Sequence, residues 1–505
     1  MRQRGTQEGS WCGTDRWLEP TKANDRAYRR NVVTHVAASG GSAADPRPSN
    51  PHAGVGEERA VAFGDAVRVW VRVAASSFGG PAGQIAVLHR LVVEEKRWIG
   101  ERRFLHALNF VMLLPGPEAQ QLATYLGWLL HGVRGGLVAG GLFVLPGFLT
   151  ILALSIVYAV YGDVRFVEAL FYGLKPAVVV IVVEALLRIG RRALPRRAMG
   201  VLAALAFVAI FFLEVPFPLI VLIAAAAGWV VGRWRPLALE ESGGKSNEVP
   251  SEAAPEAEGW RVVPSWLGAL RTATLWLTVW WAPVIALVLV AGTSSVLVTQ
   301  AVFFSKVAVV TFGGAYSVLA YVAQQAVDTY GWVQASEMLD GLGMAETTPG
   351  PLIQVVQFVG FLGAYRNPAG LDPLVAGLFA SVVTTWVVFV PCFMFVFVGA
   401  PWVEHLRGNT SLRTALSGVA AAVVGVILNL AVWFALHVLF GEVSEMHAAG
   451  VRVLIPRPST LDWGAVAIVA GAALTMFRLK VGMLPTLAGA AAAGVLLHVL
   501  GAGPR

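Results

Sequence analysis

Phe78-Gly79-Gly80, followed 37 residues later by Pro115-Gly116-Pro117, is the stretch on which the reading of this chain turns. Both strings return 234 residues further on, as Phe312-Gly313-Gly314 and Pro349-Gly350-Pro351, at the same spacing. The register holds elsewhere. Trp98 falls on Trp332, Leu105 on Leu339, Leu108 on Leu342 and Gln120 on Gln354; Arg72-Val73-Ala74 falls on Lys306-Val307-Ala308, and Ser77 on Thr311. The chain is a duplicated unit. In a membrane protein, Gly and Pro breaks recurring at matched depths are a pointer to a substrate site.

Composition says that lipid is the main solvent. Of 505 residues, 56% are hydrophobic and 14% charged, with mean hydropathy +0.66; soluble domains carry about 25% charged residues. Apolar runs at 135–161, 166–187, 198–213, 216–232, 274–298, 373–399, 414–440, 462–477 and 482–500 approach or exceed the ~20 residues of a spanning helix. They are continuous rather than alternating, which argues against a β-barrel. The net charge of +7 does not indicate nucleic acid, because the basic residues cluster at the ends of apolar runs. Cys12 and Cys392 cannot build a disulfide framework, and the histidines lack ligand spacing, so neither metal nor cofactor is expected. There is no Walker A, HExxH or GxSxG string, so no catalytic residue is assigned.

The expected organisation has five parts: a polar tail over 1–60, a first membrane repeat over 61–235, an acidic linker over 236–263, a connecting helix within 264–300 and a second repeat over 301–505. Five arginines in 188–197 place that loop in the cytoplasm by the positive-inside rule. The connector 89–103 holds Arg90, Lys96, Arg97, Arg102 and Arg103, whereas the matching 323–337 has no Lys or Arg. The expected fold is therefore all-α: a polytopic membrane helical bundle of two homologous halves in inverted topology, with broken or re-entrant helices.

The breaks carry the candidate chemistry. Gly opens backbone conformations closed to other residues, and Pro ends a helix. Within a bilayer such a break is tolerated only inside protein or against a water-filled cavity. A helix starting there aims free N–H groups and a positive dipole end at an anion; the plain alternative is a turn between two spanning helices. Arg72 and Lys306 each stand six residues before their FGG motif, and an intramembrane cation costs about 2.5–3.5 kcal/mol on insertion scales. They read as paired cations at a shared anion site, or as side chains snorkelling to an interface. Glu118 opens an apolar helix, where it either serves the dipole or couples a proton. Repeat two has Leu352 there and supplies Glu346 three residues before its PGP. Gln120 and Gln354 match, and with Gln121 they could bond an oxyanion or bridge helices. Asn109, Lys175, Glu184 and Asn429 are secondary intramembrane polar residues.

The strings Ser77-Phe78-Gly79-Gly80-Pro81, Phe104-Leu105-His106-Ala107-Leu108-Asn109 and Leu114-Pro115-Gly116-Pro117-Glu118-Ala119-Gln120-Gln121 resemble the signature of the chromate ion transporter family. Thr311-Phe312-Gly313-Gly314 and Thr348-Pro349-Gly350-Pro351 resemble its C-terminal domain, so the resemblance covers about 66–440. It implies a secondary transporter of the inner (cytoplasmic) membrane that exports chromate and confers resistance, exchanging with protons, with sulfate as a competing analogue. A homodimer is possible. On this reading the substrate contacts are Arg72, Ser77, Phe78, Gly79, Gly80, Pro115, Gly116, Pro117, Gln120, Gln121, Lys306, Thr311, Phe312, Gly313, Gly314, Pro349, Gly350, Pro351 and Gln354, with Glu118 as the coupling carboxylate. Two alternatives share much of this sequence logic: an uptake permease or channel for sulfate or another oxyanion, and a membrane enzyme or scaffold that moves nothing.

Overall fold

A computed structural model describes residues 61–162, 164–234, 265–403, 409–448 and 450–500. The expected tail 1–60 and the whole acidic linker 236–263 lie outside the described residues. The protein is a multi-pass membrane helical bundle in which each repeat lays down the same succession of elements. The first repeat contains α1 (Phe63–Ser76), α2 (Gly80–His89) and α3 (Glu101–Val111). It continues with α4 (Glu118–Tyr161), α5 (Arg165–Ala193), α6 (Arg197–Phe211) and α7 (Phe217–Trp234). After the connecting α8 (Trp266–Ala291) come α9 (Val296–Val310), α10 (Ala315–Gln324), α11 (Ala335–Thr347) and α12 (Val355–Arg366). The second repeat closes with α13 (Pro373–Gly399), α14 (Thr410–Leu439), α15 (Trp463–Ala473) and α16 (Met483–Val499). Even a detail of local winding is duplicated: a π turn extends α2 over Arg90–Glu95 and α10 over Gln325–Thr329. The connecting helix ends at Ala291 and α9 starts at Val296.

The 44-residue helix α4 does not cross as one rod. His131 (φ −142°) and Gly132 (φ 61°) leave helical geometry. A Cβ at Gly127 would strike the Gly135 carbonyl and Ala139. Eight residues of straight helix span about 12 Å, so this contact means that the chain folds back on itself. Gly127, Gly135 and Ala139 let the two limbs touch. The second repeat makes the same hairpin from separate helices, α12 and α13, where Gly360 lies against Thr384 and Gly377 against Phe361. Apolarity alone cannot mark such a reversal, because both limbs need apolar faces.

Packing between the repeats is reciprocal. α5 rests on α15 and α16 of the second repeat, and α14 rests on α6 and α7 of the first. Each contact has a glycine pair at its centre: Gly173 with Gly494, and Gly418 with Gly228. Where lipid tails are as apolar as leucine, close approach through small residues is what holds helices together. Gly228→Ala puts a Cβ 2.5 Å from the Thr414 carbonyl oxygen and 3.0 Å from Gly418 Cα. Overpacking of this kind costs about 1–3 kcal/mol, so thermal unfolding in detergent should occur at lower temperature. Gly200→Ala, with nothing within 4 Å, should not lower it.

One element departs from the expected all-α fold. β1 (Val443–Ala448) and β2 (Val451–Pro456) form an antiparallel hairpin, with Val443 opposite Pro456 and Ala448 opposite Val451. Arg452 in β2 is 4% exposed. Its N–H donates to the Phe212 carbonyl at 2.8 Å and its Nε to Phe211 at 3.3 Å. The guanidinium lies 3.4 Å from Glu214, 3.9 Å from Asp328 and 3.9 Å from Glu445. The hairpin is thus pinned to the α6–α7 turn of the first repeat and to the end of the π turn in the second.

Candidate functional site

The four breaks meet, and they do so by exchange. Ser77 and Thr311 end α1 and α9, and each is buried with its hydroxyl bonded to the carbonyl four residues back. That leaves the carbonyl of each break residue itself in need of a donor. Gly350 N–H donates to Ser77 O at 3.0 Å, and Gly116 N–H donates to Thr311 O at 2.7 Å. Each FGG break is therefore completed by the PGP break of the other repeat. The glycines permit it: φ is 130° at Gly116 and 114° at Gly350. Gly79, Gly80, Gly313 and Gly314 also have positive φ, and Gly79 and Gly314 stand at the N-caps of α2 and α10. Pro117 and Pro351 are the N-caps that begin α4 and the 3-10 turn leading into α12.

The long helices close over this crossing in the same reciprocal manner. Gly147, after Pro146 of α4, lies against Pro349 and Gly350; Cys392, after Pro391 of α13, lies against Gly116. The return limb of α4 and α13 pass each other antiparallel, with Gly136 against Phe397 and Gly140 against Phe393. Gln84 ties α2 to the second PGP by donating to Gly350 O at 2.6 Å.

Donors for an anion are available as backbone N–H groups. The first turns of α2, α4, α10 and the 3-10 turn at Leu352 start at the breaks, and first-turn N–H groups have no intrahelical partner. The hydrogen bonds of the glutamines are internal to the bundle. Gln121 Nε2 donates to Pro115 O at 2.7 Å and Gln120 Nε2 to Thr124 at 3.1 Å. Gln354 Nε2 donates to Gln357 at 2.5 Å and to Thr385 at 3.1 Å. Their free atoms are the Oε1 oxygens, which are buried without a partner among the described residues. In these orientations the amides brace the breaks, and an oxyanion would find acceptors on them rather than donors.

Two carboxylates converge on the start of α10. Glu118 Oε1 lies 4.0 Å from where a Cβ at Gly314 would stand. Glu346 is 2% exposed and accepts a short hydrogen bond from Tyr316 in the first turn of α10. Its other oxygen is unpartnered among the described residues. On α5, Arg188 pairs with Glu184 and Arg192 is exposed. In the sequence these arginines read only as an orientation signal.

The two cations singled out by the duplication stand elsewhere. Arg72 is exposed and bonded to Glu95 of its own repeat at 2.9 Å. Lys306 is exposed on α9, with no ion pair among the described residues. Both have long stems that carry the charge away from the helix axis, and for Arg72 a local carboxylate neutralises it. Neither joins the crossing. Phe78, Pro115 and Phe312 sit at the breaks but are only partly buried. A cation could be shared among the described residues by Glu214, Glu445 and His447. The Arg452 guanidinium beside them already fills that role.

Comparison with known proteins gives a consistent result. A family model described as "Chromate transporter" matches residues 64–229 and 298–495, the two repeats. A "Chromate transport protein" of Pseudomonas aeruginosa is 32% identical over 420 residues, covering 79% of this chain and 88% of that one. A protein of the same description from Cupriavidus metallidurans is 27% identical, covering 81% of this chain and 91% of its own. A "Probable chromate transport protein" of Synechococcus elongatus is also 27% identical, with 79% and 93% covered. No solved structure matches the chain.

Proposed function

Because the chain belongs to the chromate transporter family, we propose that it carries chromate across the cytoplasmic membrane, outward and in exchange with protons, with sulfate competing for the same site. The observation that carries this reading is the exchange of backbone hydrogen bonds at the crossing: Gly350 to Ser77 and Gly116 to Thr311. It gathers four interrupted helix ends, one set from each repeat, at one place inside the bundle. Their free N–H groups and dipole ends suit a small dianion.

The reading includes an inverted arrangement of the two halves. The antiparallel passage of α4 and α13, which occupy matching places in the two repeats, supports it. So does the contrast between the basic connector 89–103 and the uncharged-by-Lys/Arg connector 323–337. Rocking of one half against the other would then expose the crossing to either side in turn. Glu118, at the first turn of α4 and facing α10, is the coupling carboxylate in this scheme.

Everted vesicles and proteoliposomes test it. Chromate should accumulate in everted vesicles, sulfate should compete, and collapse of the pH gradient should stop accumulation. Glu118→Gln should keep chromate binding but lose the proton's contribution to flux, about tenfold on coupling energies of 1–3 kcal/mol. Accumulation that is indifferent to the pH gradient in the wild type would refute exchange with protons. Absence of chromate movement in either preparation would refute the transport reading.

A further inference from the structure

Outside the crossing, the buried charge is concentrated where α11 meets α4 and α5. Asp340 of α11 is 2% exposed. Lys175 Nζ of α5 lies 3.3 Å from its Oδ2, and the Tyr158 hydroxyl of α4 donates to the same oxygen at 2.9 Å. The other oxygen, Oδ1, is buried without a partner among the described residues. Tyr158 and Lys175 belong to the first repeat and Asp340 to the second, so the group is a bridge between the repeats. The remaining charges facing it are already matched. One turn back on α11, Glu337 is held bidentately by Arg366 of α12, at 2.8 and 2.5 Å.

The bridge differs from an ordinary buried ion pair in two respects. The carboxylate has one oxygen free, so it can take a proton without first losing a hydrogen bond. Lys175 is 26% exposed in its side chain, so its ammonium reaches the surroundings and can exchange one partner for water. With a proton on Oδ1 the carboxylate is neutral, and Lys175 loses its counter-charge. The tie between the repeats is then reduced to the Tyr158 hydrogen bond. α11 runs on from Asp340 through Glu346 to the break at Pro349-Gly350-Pro351, so a shift of this helix moves the second PGP directly.

We propose that Asp340, tied to Lys175 and Tyr158 across the repeats, is a second proton-binding site of the transporter, and that taking up a proton from water at Oδ1 unlinks the two halves. The inference rests on the transport reading above. The sequence offered Lys175 as an intramembrane cation but could not name its partner, which lies 165 residues away in the other repeat.

The test uses the purified full-length chain in proteoliposomes, with chromate flux and internal pH followed together between pH 6 and 8. The double variant Lys175→Gln, Asp340→Asn removes both charges and keeps amides able to bond Tyr158. It should still pass chromate down its gradient while the pH dependence of the rate flattens by about tenfold. Tyr158→Phe keeps the ion pair and should shift the midpoint of that profile. A double variant with the wild-type pH profile and wild-type proton flux overturns the proposal. If the double variant does not fold, an unshifted profile in Tyr158→Phe overturns it instead. Failure of the transport reading shows in the wild type before any substitution. The bridge is then read without substrate, as a pH-dependent change in tryptophan fluorescence that the double variant lacks; equal titrations in both proteins count against it.

Discussion

Gly350→Ala should reduce chromate flux by at least tenfold while Gly79→Ala costs less, although both glycines have positive φ. At Gly79 φ is 86° and a Cβ meets nothing within 4 Å, so the penalty is conformational alone, of the order of 1–2 kcal/mol. At Gly350 φ is 114° and a Cβ stands 3.0 Å from Gly147 Cα and 3.2 Å from its backbone N. Backbone cannot swing aside as a side chain can. Relief requires α4 to move away from the second PGP, which pulls Gly350 N–H off Ser77 O. An unpaired buried backbone group adds about 1–3 kcal/mol, and two such terms together exceed the 1.4 kcal/mol of a tenfold change. Gly116→Ala should fall between the two, because the atoms its Cβ meets, Gln121 Nε2 at 2.7 Å and Cys392 Sγ at 2.9 Å, belong to side chains. Flux per unit of protein in proteoliposomes, measured for all three, checks the order. A Gly79 variant as impaired as the Gly350 variant would mean that the crowding at Gly147 does not matter.

Arg452→Ala should be the most destabilising single change outside the membrane-spanning helices. It removes the guanidinium shared by Glu214, Asp328 and Glu445 and leaves the Phe211 carbonyl without its donor. The carboxylates left behind are 39–43% exposed, so water screens them and each lost pair costs only about 0–1 kcal/mol; the buried Phe211 carbonyl left unpaired adds about 1–3 kcal/mol. Arg452→Lys should recover part of this, since a lysine restores the charge but not the fork that reaches a carbonyl and several carboxylates together. Thermal unfolding in detergent, followed through the protein's 17 tryptophans, gives the comparison. Equal midpoints for the wild type and the alanine variant would show that the hairpin contributes nothing to the join between repeats.

Much of this architecture was legible before any coordinates. Duplication revealed itself through matched strings, and the same strings marked where helices break. What could not be read is which break completes which. Ser77 lies near Gly116 in sequence, yet its carbonyl takes its donor from Gly350, and local pattern carries no information on such a choice. Arg72 and Lys306 show a related limit: matched position fixes the place of a Cα, not the direction of a long side chain. The reversal at His131-Gly132 lies just ahead of the apolar run 135–161, where no proline marks it, and Asp340 was concealed by its distance from Lys175. The hairpin at 443–456 is too short and too weakly alternating to stand out between two apolar helices.

The reciprocal bonds at the crossing have a consequence for how such a protein could be assembled. Either repeat taken by itself is chemically unfinished: one carbonyl at its FGG break wants a donor, and one N–H at its PGP break wants an acceptor. Because the two deficits are complementary, a polypeptide bearing a single copy could satisfy both by pairing with a second copy. Fusion into one chain thus secures a partnership that the half-sized unit would otherwise have to find by diffusion in the plane of the lipid.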